Sequence, residues 1–514
     1  MRTRRTLALA LVAALASCKV GPSFTPPHGP APERYTEPSP AGERRPEARE
    51  SGSALLEPRA VQETSPVSFW WKEFHDPELE KLVSMATAGN LDLKAAYLRI
   101  AEARVQVLAT RAEGLPSLDA SAAYTREQLG LAGILKSQGL NTASGPASSA
   151  AARGLISSLE TPVNLYQLGF DASWELDLFG KVRRAVEAAH AQAAAAVETR
   201  NDLLVSLEAE VALDYFQLRS AQVLRRITLD LISSQREITE LTDDRHVHGL
   251  AGEPDVEAAR GQLASLESEL PNYEQSVVAS RHALAVLTGR TPEALDAEFG
   301  EIGALPALPP QVPVGLPSTL ARRRPDIRSA EASLHAATAQ IGVSVASLFP
   351  DISLAGSYGL RNLGTRYLFD WESHFYTFGP SVSIPIFHGG ALVASVRLSQ
   401  AQAAEAALQY RKTVLNALQE VEDGLSSLHE DAHRTASLEQ AVAADQSALD
   451  IELNAYRHGV ISYINALTVQ LQMTQARQQL AQSMLTQSTD LVKLYKALGG
   501  GWEEARAAQA SDSH

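Results

Sequence analysis

The side chains that could do chemistry in this sequence are few, and they are not arranged as a catalytic site. The sequence has no phosphate-binding glycine loop and no nucleophile elbow, and we assign no zinc-protease motif. His246 and His248 flank one residue beside a predicted turn, and two histidines alone are weak evidence for a metal site. Four methionines, including the initiator, are too few for a ladder that carries copper or silver. We therefore expect no enzyme, no metal and no cofactor.

Cys18 is the exception, because it is the only cysteine and lies at a processing site. A basic start and an apolar run over residues 7–15 are typical of a secretory signal. Cleavage between Ser17 and Cys18 resembles the processing of bacterial lipoproteins, in which the new N-terminal cysteine is acylated. The alternative is an ordinary signal peptide with a cysteine nearby by chance. We expect a covalent lipid on Cys18, and Lys19 after it resembles the pattern sorted to the outer membrane.

The chain that must position these residues is written twice. Residues 115–124 recur as residues 349–358, about 234 positions later, whereas Gly249 recurs as Gly459, about 210 positions later. The difference places an extra two dozen or so residues in a loop of the first copy, within 126–164. Each copy reads as helix, strand, loop, strand, very long helix, turn and helix. A duplicated unit of this length usually marks an architecture built by stacking or closing copies.

Two segments of each copy alternate between apolar and polar residues. In one of them Phe170 and Trp174 lie on one face of the predicted strand, and Asp171 and Ser173 on the other. A period of two fits a membrane barrel strand as well as a soluble sheet, and the lipoprotein signal with the aromatic residues near strand ends favours the barrel. The strands are expected at about 116–126, 168–178, 350–360 and 378–387.

The helices that follow the second strand of each copy are unusually long. They are expected over about 181–244 and 391–456, and 1.5 Å per residue makes each about 100 Å long. Their apolar residues recur at spacings of three and four, which predicts coiled-coil-like packing. An earlier helix is expected from Asp76 and Pro77 to about Gly114. A fold made only of coiled-coil helices would not account for the predicted strands.

Composition limits the class of protein. A net charge of −15 over 514 residues speaks against nucleic-acid binding, which needs a basic face. Four amphipathic strands cannot close into a barrel by themselves, so closure needs several chains, and three would give twelve strands. The expected organisation is a signal peptide at 1–17, an extended or disordered lipid-anchored segment at 18–66, a first repeat at 67–300, a second repeat at 301–500 and a polar tail at 501–514.

Five landmarks in a fixed order carry a family resemblance. They are residues 18–22 (Cys-Lys-Val-Gly-Pro), Phe69-Trp70-Trp71 with Asp76-Pro77, Asn90-Leu91-Asp92-Leu93, residues 174–180 (Trp-Glu-Leu-Asp-Leu-Phe-Gly) and residues 323–327 (Arg-Arg-Pro-Asp-Ile). Together they resemble the outer-membrane factors of tripartite efflux systems, most closely the TolC-like, NodT-type lipoproteins. The resemblance implies an α+β homotrimer with a twelve-stranded β-barrel in the outer membrane of a Gram-negative bacterium, continued by a periplasmic α-helical barrel.

The resemblance also implies partners and a gate. The partners are outer-membrane lipid, a periplasmic adaptor (membrane fusion) protein and an inner-membrane pump of the proton-driven RND type. The gate falls on the second-copy turn, where Ile464 matches an apolar constriction residue and Tyr456 matches a member of the closing hydrogen-bond network. Asn465 and Thr468 stand where family members often have aspartates, and a ring of these neutral side chains would not select and hold cations as a ring of three carboxylates would. Whether cations block the gate is therefore left open by the resemblance.

The expected function is a passive duct that exports small molecules such as drugs and toxic compounds. Two alternatives remain open. One keeps the fold but passes a polypeptide, as in type I secretion. The other is a structural envelope lipoprotein whose helices form coiled coils without a pore. The charges near the first-copy turn, Asp243, Asp244 and Arg245, could contact an adaptor or be solvated.

Overall fold

The computed structural model describes residues 19–27, 59–61, 68–128, 162–299, 303–314 and 317–502. The predicted signal peptide with Ser17, the acylation site Cys18, most of the segment 18–66, most of the loop within 126–164 and the tail beyond Trp502 lie outside the described residues.

The strands form two sheets. They are β1 (Arg59–Val61), β2 (Ser117–Glu127), β3 (Val163–Leu176), β4 (Gln311–Pro313), β5 (Asp351–Asn362) and β6 (His374–Ser383). β1 and β4 pair in parallel, and the other four form an antiparallel sheet in the order β2-β3-β5-β6. Within the described residues, the outer sides of β2 and β6 have no partner strand. Among the described strands, this sheet is therefore open at both edges.

The register gives this sheet one apolar face and one polar face, because directly opposite residues of antiparallel strands point to the same side. One row across the sheet is Ala120, Phe170, Tyr358 and Tyr376. The next row is Asp119, Asp171, Ser357 and Thr377. The aromatic side chains are uncovered, since Phe170, Tyr358 and Tyr376 are 55%, 51% and 75% exposed. An apolar sheet face without a covering layer is unusual for a protein in water.

The helices repeat with the copies. They are α1 (Pro77–Gly89), α2 (Leu91–Ala112), α3 (Lys181–Val247), α4 (Glu253–Leu287), α5 (Pro317–Arg323), α6 (Pro325–Ala346), α7 (Ala391–Arg457) and α8 (Tyr463–Ala497). α2 and α6 have 22 residues each, α3 and α7 have 67 each, and α4 and α8 have 35 each. α2 and α6 start about 234 positions apart, and the other two pairs, α3 with α7 and α4 with α8, start about 210 positions apart, as the repeat in the sequence predicts. In the described part of the chain, no helix is long and apolar enough to cross a bilayer.

The single helix expected from Pro77 to about Gly114 is wrong, because the structure divides it at Asn90. This residue leaves the helical conformation, with ψ at 132°, and its side chain Oδ1 accepts the backbone N–H of Leu93 at 2.9 Å. Its Nδ2 donates to the carbonyl of Leu287 at 3.0 Å. Asn90 thus ends α1, caps α2 and ties both to the end of α4. The first helix starts as expected, since Asp76 Oδ1 accepts the N–H groups of Glu78 and Leu79.

The chain divides into two compact units. The first comprises Met1–Thr25, Arg104–Ala191 and His335–Ala404, and the second comprises Pro26–Ala103, Gln192–Leu334 and Glu405–His514. The first unit contains the four-stranded sheet. In the second unit the four long helices share a core, to which they contribute Leu231, Leu266, Leu449 and Met473. A second core lies around Trp70, which stacks on Tyr495 with ring centroids 5.3 Å apart.

Residues 19–25, directly after Cys18, are docked in the first unit. Arg184, whose side chain is 2% exposed, donates to the carbonyls of Val20 and Gly21 at 3.0 Å each. Lys19 forms an ion pair with Glu187, and Phe24 stacks on His335 with ring centroids 4.4 Å apart. The first residues of the segment expected to be extended or disordered are thus held at the start of α3, while residues 59–61 of the same segment pair with β4.

Candidate functional site

The turns between the long helices have the same backbone in both copies. In the second copy Gly459, at φ 73°, donates to the carbonyl of Tyr456 at 2.9 Å, and Val460 donates to the carbonyl of Ala455 at 2.9 Å. This is a Schellman motif, which requires a left-handed residue and therefore favours glycine. In the first copy Gly249, also at φ 73°, does the same. The turns differ only in the side chains that surround them.

Tyr456 is the predicted gate residue that the structure buries. Its hydroxyl lies 2.8 Å from Thr242 Oγ1, so the end of α7 is bonded to α3 of the other copy. The guanidinium of Arg245 lies over the Tyr456 ring, 4.7 Å from its centroid, and also donates to the Tyr456 carbonyl. Hydrogen bonding and cation–π contact together hold the second-copy turn against the first-copy helix.

The other three predicted gate residues are exposed at the start of α8. Ile464 is 55% exposed, and Asn465 and Thr468 are exposed beside it. The Thr468 hydroxyl donates to the carbonyl of Ile464 at 2.8 Å, so it is used within the helix. The structure therefore does not bring Tyr456 together with these three residues. It gives Tyr456 a place in the core and leaves Ile464, Asn465 and Thr468 on a free surface of the chain.

A buried polar network that the sequence analysis missed lies next to this turn. Gln235 is fully buried, and its Nε2 donates to Tyr463 Oη and to the carbonyl of Ala259, at 3.0 Å each. Its Oε1 accepts from Gln470 Nε2 at 2.9 Å. Burial raises the pKa of Tyr463, so its phenol stays neutral within the network. α3, α4 and α8 are thereby joined through one side chain.

The sequence did carry a signal for this network. Leu231 and Ile238 are seven positions apart in α3 and both are buried. Gln235 and Thr242 each follow one of them by four positions, where the apolar repeat calls for another hydrophobic residue. Polar residues in such positions need partners, because an unpaired polar group in a core costs about 1–3 kcal/mol. Gln235 and Thr242 have theirs in the second copy.

The expectation that the sequence contains no zinc-protease motif is wrong. Residues 429–433 read His-Glu-Asp-Ala-His, which is the HExxH pattern. They lie in α7, with the rings of His429 and His433 exposed and their centroids 4.6 Å apart. Such enzymes need a third ligand, and among the described residues no group of three or more His, Cys, Asp or Glu could hold a metal. The motif is therefore incomplete as a catalytic site.

The charged residues near the first-copy turn have partners within the chain. Arg260 forms ion pairs with Asp243 at 3.0 Å and with Glu257 at 2.9 Å. His246 Nε2 lies 3.0 Å from Glu253, and His248 Nδ1 lies 2.8 Å from the carbonyl of Asp244. These exposed pairs bind the turn to itself and contribute little to stability.

The whole chain is similar to known outer-membrane efflux proteins. It is 30% identical over 505 residues to the toluene efflux pump outer membrane protein TtgC and to the antibiotic efflux pump outer membrane protein ArpC, both of Pseudomonas putida. Each alignment covers 98% of this chain and 96% of the relative. The solved outer-membrane channel OprN is 30% identical with a TM-score of 0.80, covering 95% of this chain and 100% of that one. Residues 82–290 and 316–500 match the family described as outer membrane efflux protein, and the chain belongs to that family.

Proposed function

We propose that this outer-membrane efflux channel works as a homotrimer whose sheets close into one twelve-stranded barrel, continued by a periplasmic α-helical barrel. The observation that carries the proposal is the four-stranded sheet with its exposed apolar face. In the described part of the chain, its edge strands β2 and β6 have no partner on their outer sides. Each unpaired backbone group would cost several kcal/mol in lipid. Pairing β6 of one chain with β2 of the next removes both edges at every joint.

The number of chains follows from the size of the opening. Two chains would give an eight-stranded barrel, and side chains nearly fill the interior of a barrel of that size. Twelve strands leave room for a water-filled lumen. With the apolar row of Phe170, Tyr358 and Tyr376 turned to lipid, the row of Asp171, Ser357 and Thr377 lines that lumen. A polar, open lumen suits the passive passage of small solutes.

The cargo and the partners are inferred from the relatives and from the family. TtgC and ArpC are named for efflux of toluene and antibiotics, which supports small molecules rather than a polypeptide as cargo. A periplasmic adaptor and an inner-membrane pump of the proton-driven RND type would deliver it. A lipid on Cys18 would add an anchor beside residues 19–25, which are docked at the start of α3.

The gate belongs to the second-copy turn. With the tip closed, Ile464 from three chains forms an apolar constriction, and the bond between Tyr456 and Thr242 holds each turn in place. Bilayer conductance of the purified protein tests this arrangement. Wild-type protein is expected to conduct little, and Thr242→Val or Tyr456→Phe is expected to raise conductance by freeing the turn.

The matched control is Thr435→Val, which breaks another buried hydroxyl pair, the one with Ser483 at 3.0 Å, far along the helices from the turn. It is expected to leave conductance unchanged. Trimers that conduct under none of these substitutions would overturn the duct, and a stable monomer in the membrane would overturn the closed barrel. Passage of an unfolded polypeptide instead of small dyes would support the secretion alternative.

The absence of a carboxylate at Asn465 gives a further prediction. Three copies of Asn465→Asp would place three negative charges in one ring, which holds cations strongly in a narrow pore. We expect the variant, opened by Tyr456→Phe, to be blocked by divalent cations that leave the Tyr456→Phe channel conducting. Equal block of both channels would show that Asn465 does not line the constriction.

A further inference from the structure

His429 and His433 form a pair that efflux does not require. They lie one turn apart on α7, where residues four positions apart share a face. Both side chains are exposed, their ring centroids are 4.6 Å apart and their planes are at 89°. Within the described residues, no hydrogen bond or ion pair engages a ring nitrogen of either histidine, and the two rings contact each other.

Histidines near the two turns behave differently. His248 Nδ1 and His458 Nδ1 each lie 2.8 Å from the carbonyl of the residue four positions earlier. His246 contacts the carbonyl of Ala251 and the carboxylate of Glu253, both at 3.0 Å. Each of these three imidazoles has a nitrogen already occupied. The pair on α7 keeps its nitrogens available and presents them together.

We propose that His429 and His433 chelate one late first-row divalent cation, with Cu²⁺ bound most tightly, on the surface of α7. A neutral imidazole nitrogen binds Zn²⁺ at about 2.0–2.1 Å, and imidazole also suits copper and nickel. Two nitrogens on one metal at about that distance are separated by no more than about 4.2 Å, which rings 4.6 Å apart reach by side-chain rotation. Cu²⁺ leads because affinities of such sites rise along the series to copper and fall again at zinc.

The two donors also limit what the site can do. Two imidazoles leave the remaining coordination positions to water, unlike a closed structural site with four protein ligands. Glu430 follows His429 directly, and neighbouring positions of a helix do not face the same way, so its carboxylate does not complete the set. The site is thus an open, exchangeable chelate that bridges one turn of α7.

The test uses the full-length protein in detergent, purified without a polyhistidine tag, and CuCl₂ as the probe. Titration calorimetry is expected to show one site per chain, and the electron paramagnetic resonance spectrum of bound Cu²⁺ to show coupling to two nitrogens. His429→Ala and His433→Ala are each expected to weaken binding at least about tenfold, because losing even a group that orients a metal ligand costs about 10–100-fold.

A register control separates chelation from histidine content. The double substitution His433→Ala with Arg434→His keeps thirteen histidines but moves one imidazole off the shared face. It is expected to bind Cu²⁺ as weakly as His433→Ala, whereas His248→Ala is expected to bind as tightly as wild type. Unchanged affinity in the double variant would overturn the proposal, as would an equal loss in His248→Ala. Bilayer conductance of the same variants is expected to stay unchanged, so the site can fail without the duct failing.

Discussion

The guanidinium of Arg324 joins three helices of the second unit. Its side chain is 10% exposed and donates to both carboxylate oxygens of Asp326, at 3.0 and 2.7 Å. It also donates to Glu420 at 2.6 Å and to the carbonyl of Ala497 at 2.9 Å. The motif of residues 323–327 therefore acts as a connector between the start of α6, the middle of α7 and the end of α8.

Replacing Arg324 by Met should destabilise the second unit by about 1–3 kcal/mol, because Asp326, Glu420 and the carbonyl of Ala497 lose the donor that joins them. Thermal unfolding followed by circular dichroism measures the loss. Arg322→Met is the matched control, since this neighbour is exposed and its loss should stay within about 0.5 kcal/mol. Equal melting temperatures for the two variants would contradict the connector role.

Asp214 gives a pH prediction of the opposite sign to an ordinary ion pair. Burial, followed by repulsion from Glu210, raises the pKa of Asp214 to about 6. A carboxyl group with a raised pKa in the folded state stabilises the protein at low pH, and that contribution is lost as pH rises through about 6. Asp214→Asn should therefore be more stable than wild type at pH 7.5 and lose that advantage at pH 4.5. Melting temperatures across this range test it, and a constant difference would contradict it.

At the scale of elements, the close approach of α6 to the docked segment depends on Gly342. A Cβ placed there would lie 2.8 Å from Arg184 Cγ and Cδ, and a Cβ on Gly21 would lie 2.6 Å from Gly342 Cα. Arg184 is buried and bonded, so it has little room to move. The segment after Cys18 and α6 fit together only without side chains at this contact.

Gly342→Ala should destabilise the protein by about 1–3 kcal/mol, as overpacking does, and should expose residues 19–25 to protease. The same substitution at Gly261 of α4, where a Cβ would meet nothing within 4 Å, should instead stabilise by about 0.5–1 kcal/mol. Limited proteolysis and thermal melts of both variants check the contrast. Protection of residues 19–25 in Gly342→Ala would contradict the close approach.

How much of each element could be predicted depends on how far its signal is local. The repeat of apolar residues located α3 and α7 to within a few residues of their ends at Val247 and Arg457. The break at Asn90 was missed although half of its signal is local, since Asn is a preferred capping residue and Asn90 caps α2 through the N–H of Leu93. Its other hydrogen bond, to Leu287 almost two hundred positions away, could not be read from the sequence. The strands were placed on period alone, and β3 starts at Val163, earlier than the expected 168, because pairing with β2 extends it.

The candidate site was predictable only in part, for the same reason. Tyr456 and Ile464 came from a resemblance, which transfers positions but not contacts. The partner of Tyr456 is Thr242 in the other copy, and the bonds from Gln235 to Tyr463 and Gln470 also cross between copies. Packing brings these residues together, and a linear pattern shows only that Gln235 and Thr242 are polar where apolar residues are expected.

For the whole molecule, the anchor and the sheet make separable contributions to membrane attachment. Cys18→Ala should abolish acylation, detected by the mass of the mature protein, yet leave the protein in the outer-membrane fraction after alkaline extraction. A sheet embedded in lipid holds the protein in the membrane without the acyl group, because lipid offers no partners for a sheet that leaves it unpaired. Complete release of the unacylated protein would contradict an inserted sheet.

The contacts of Gln235 also bear on whether half of this chain could work alone. The residues 210 positions from Gln235 and Thr242 are Asp445 and Glu452, and those 210 positions before Tyr456 and Tyr463 are His246 and Glu253. A protein made of two second halves would thus bury carboxylates opposite the tyrosines, and one made of two first halves would have no tyrosine at either position. The two copies are therefore complementary to each other at these positions. A single repeat that paired with itself would not form these contacts.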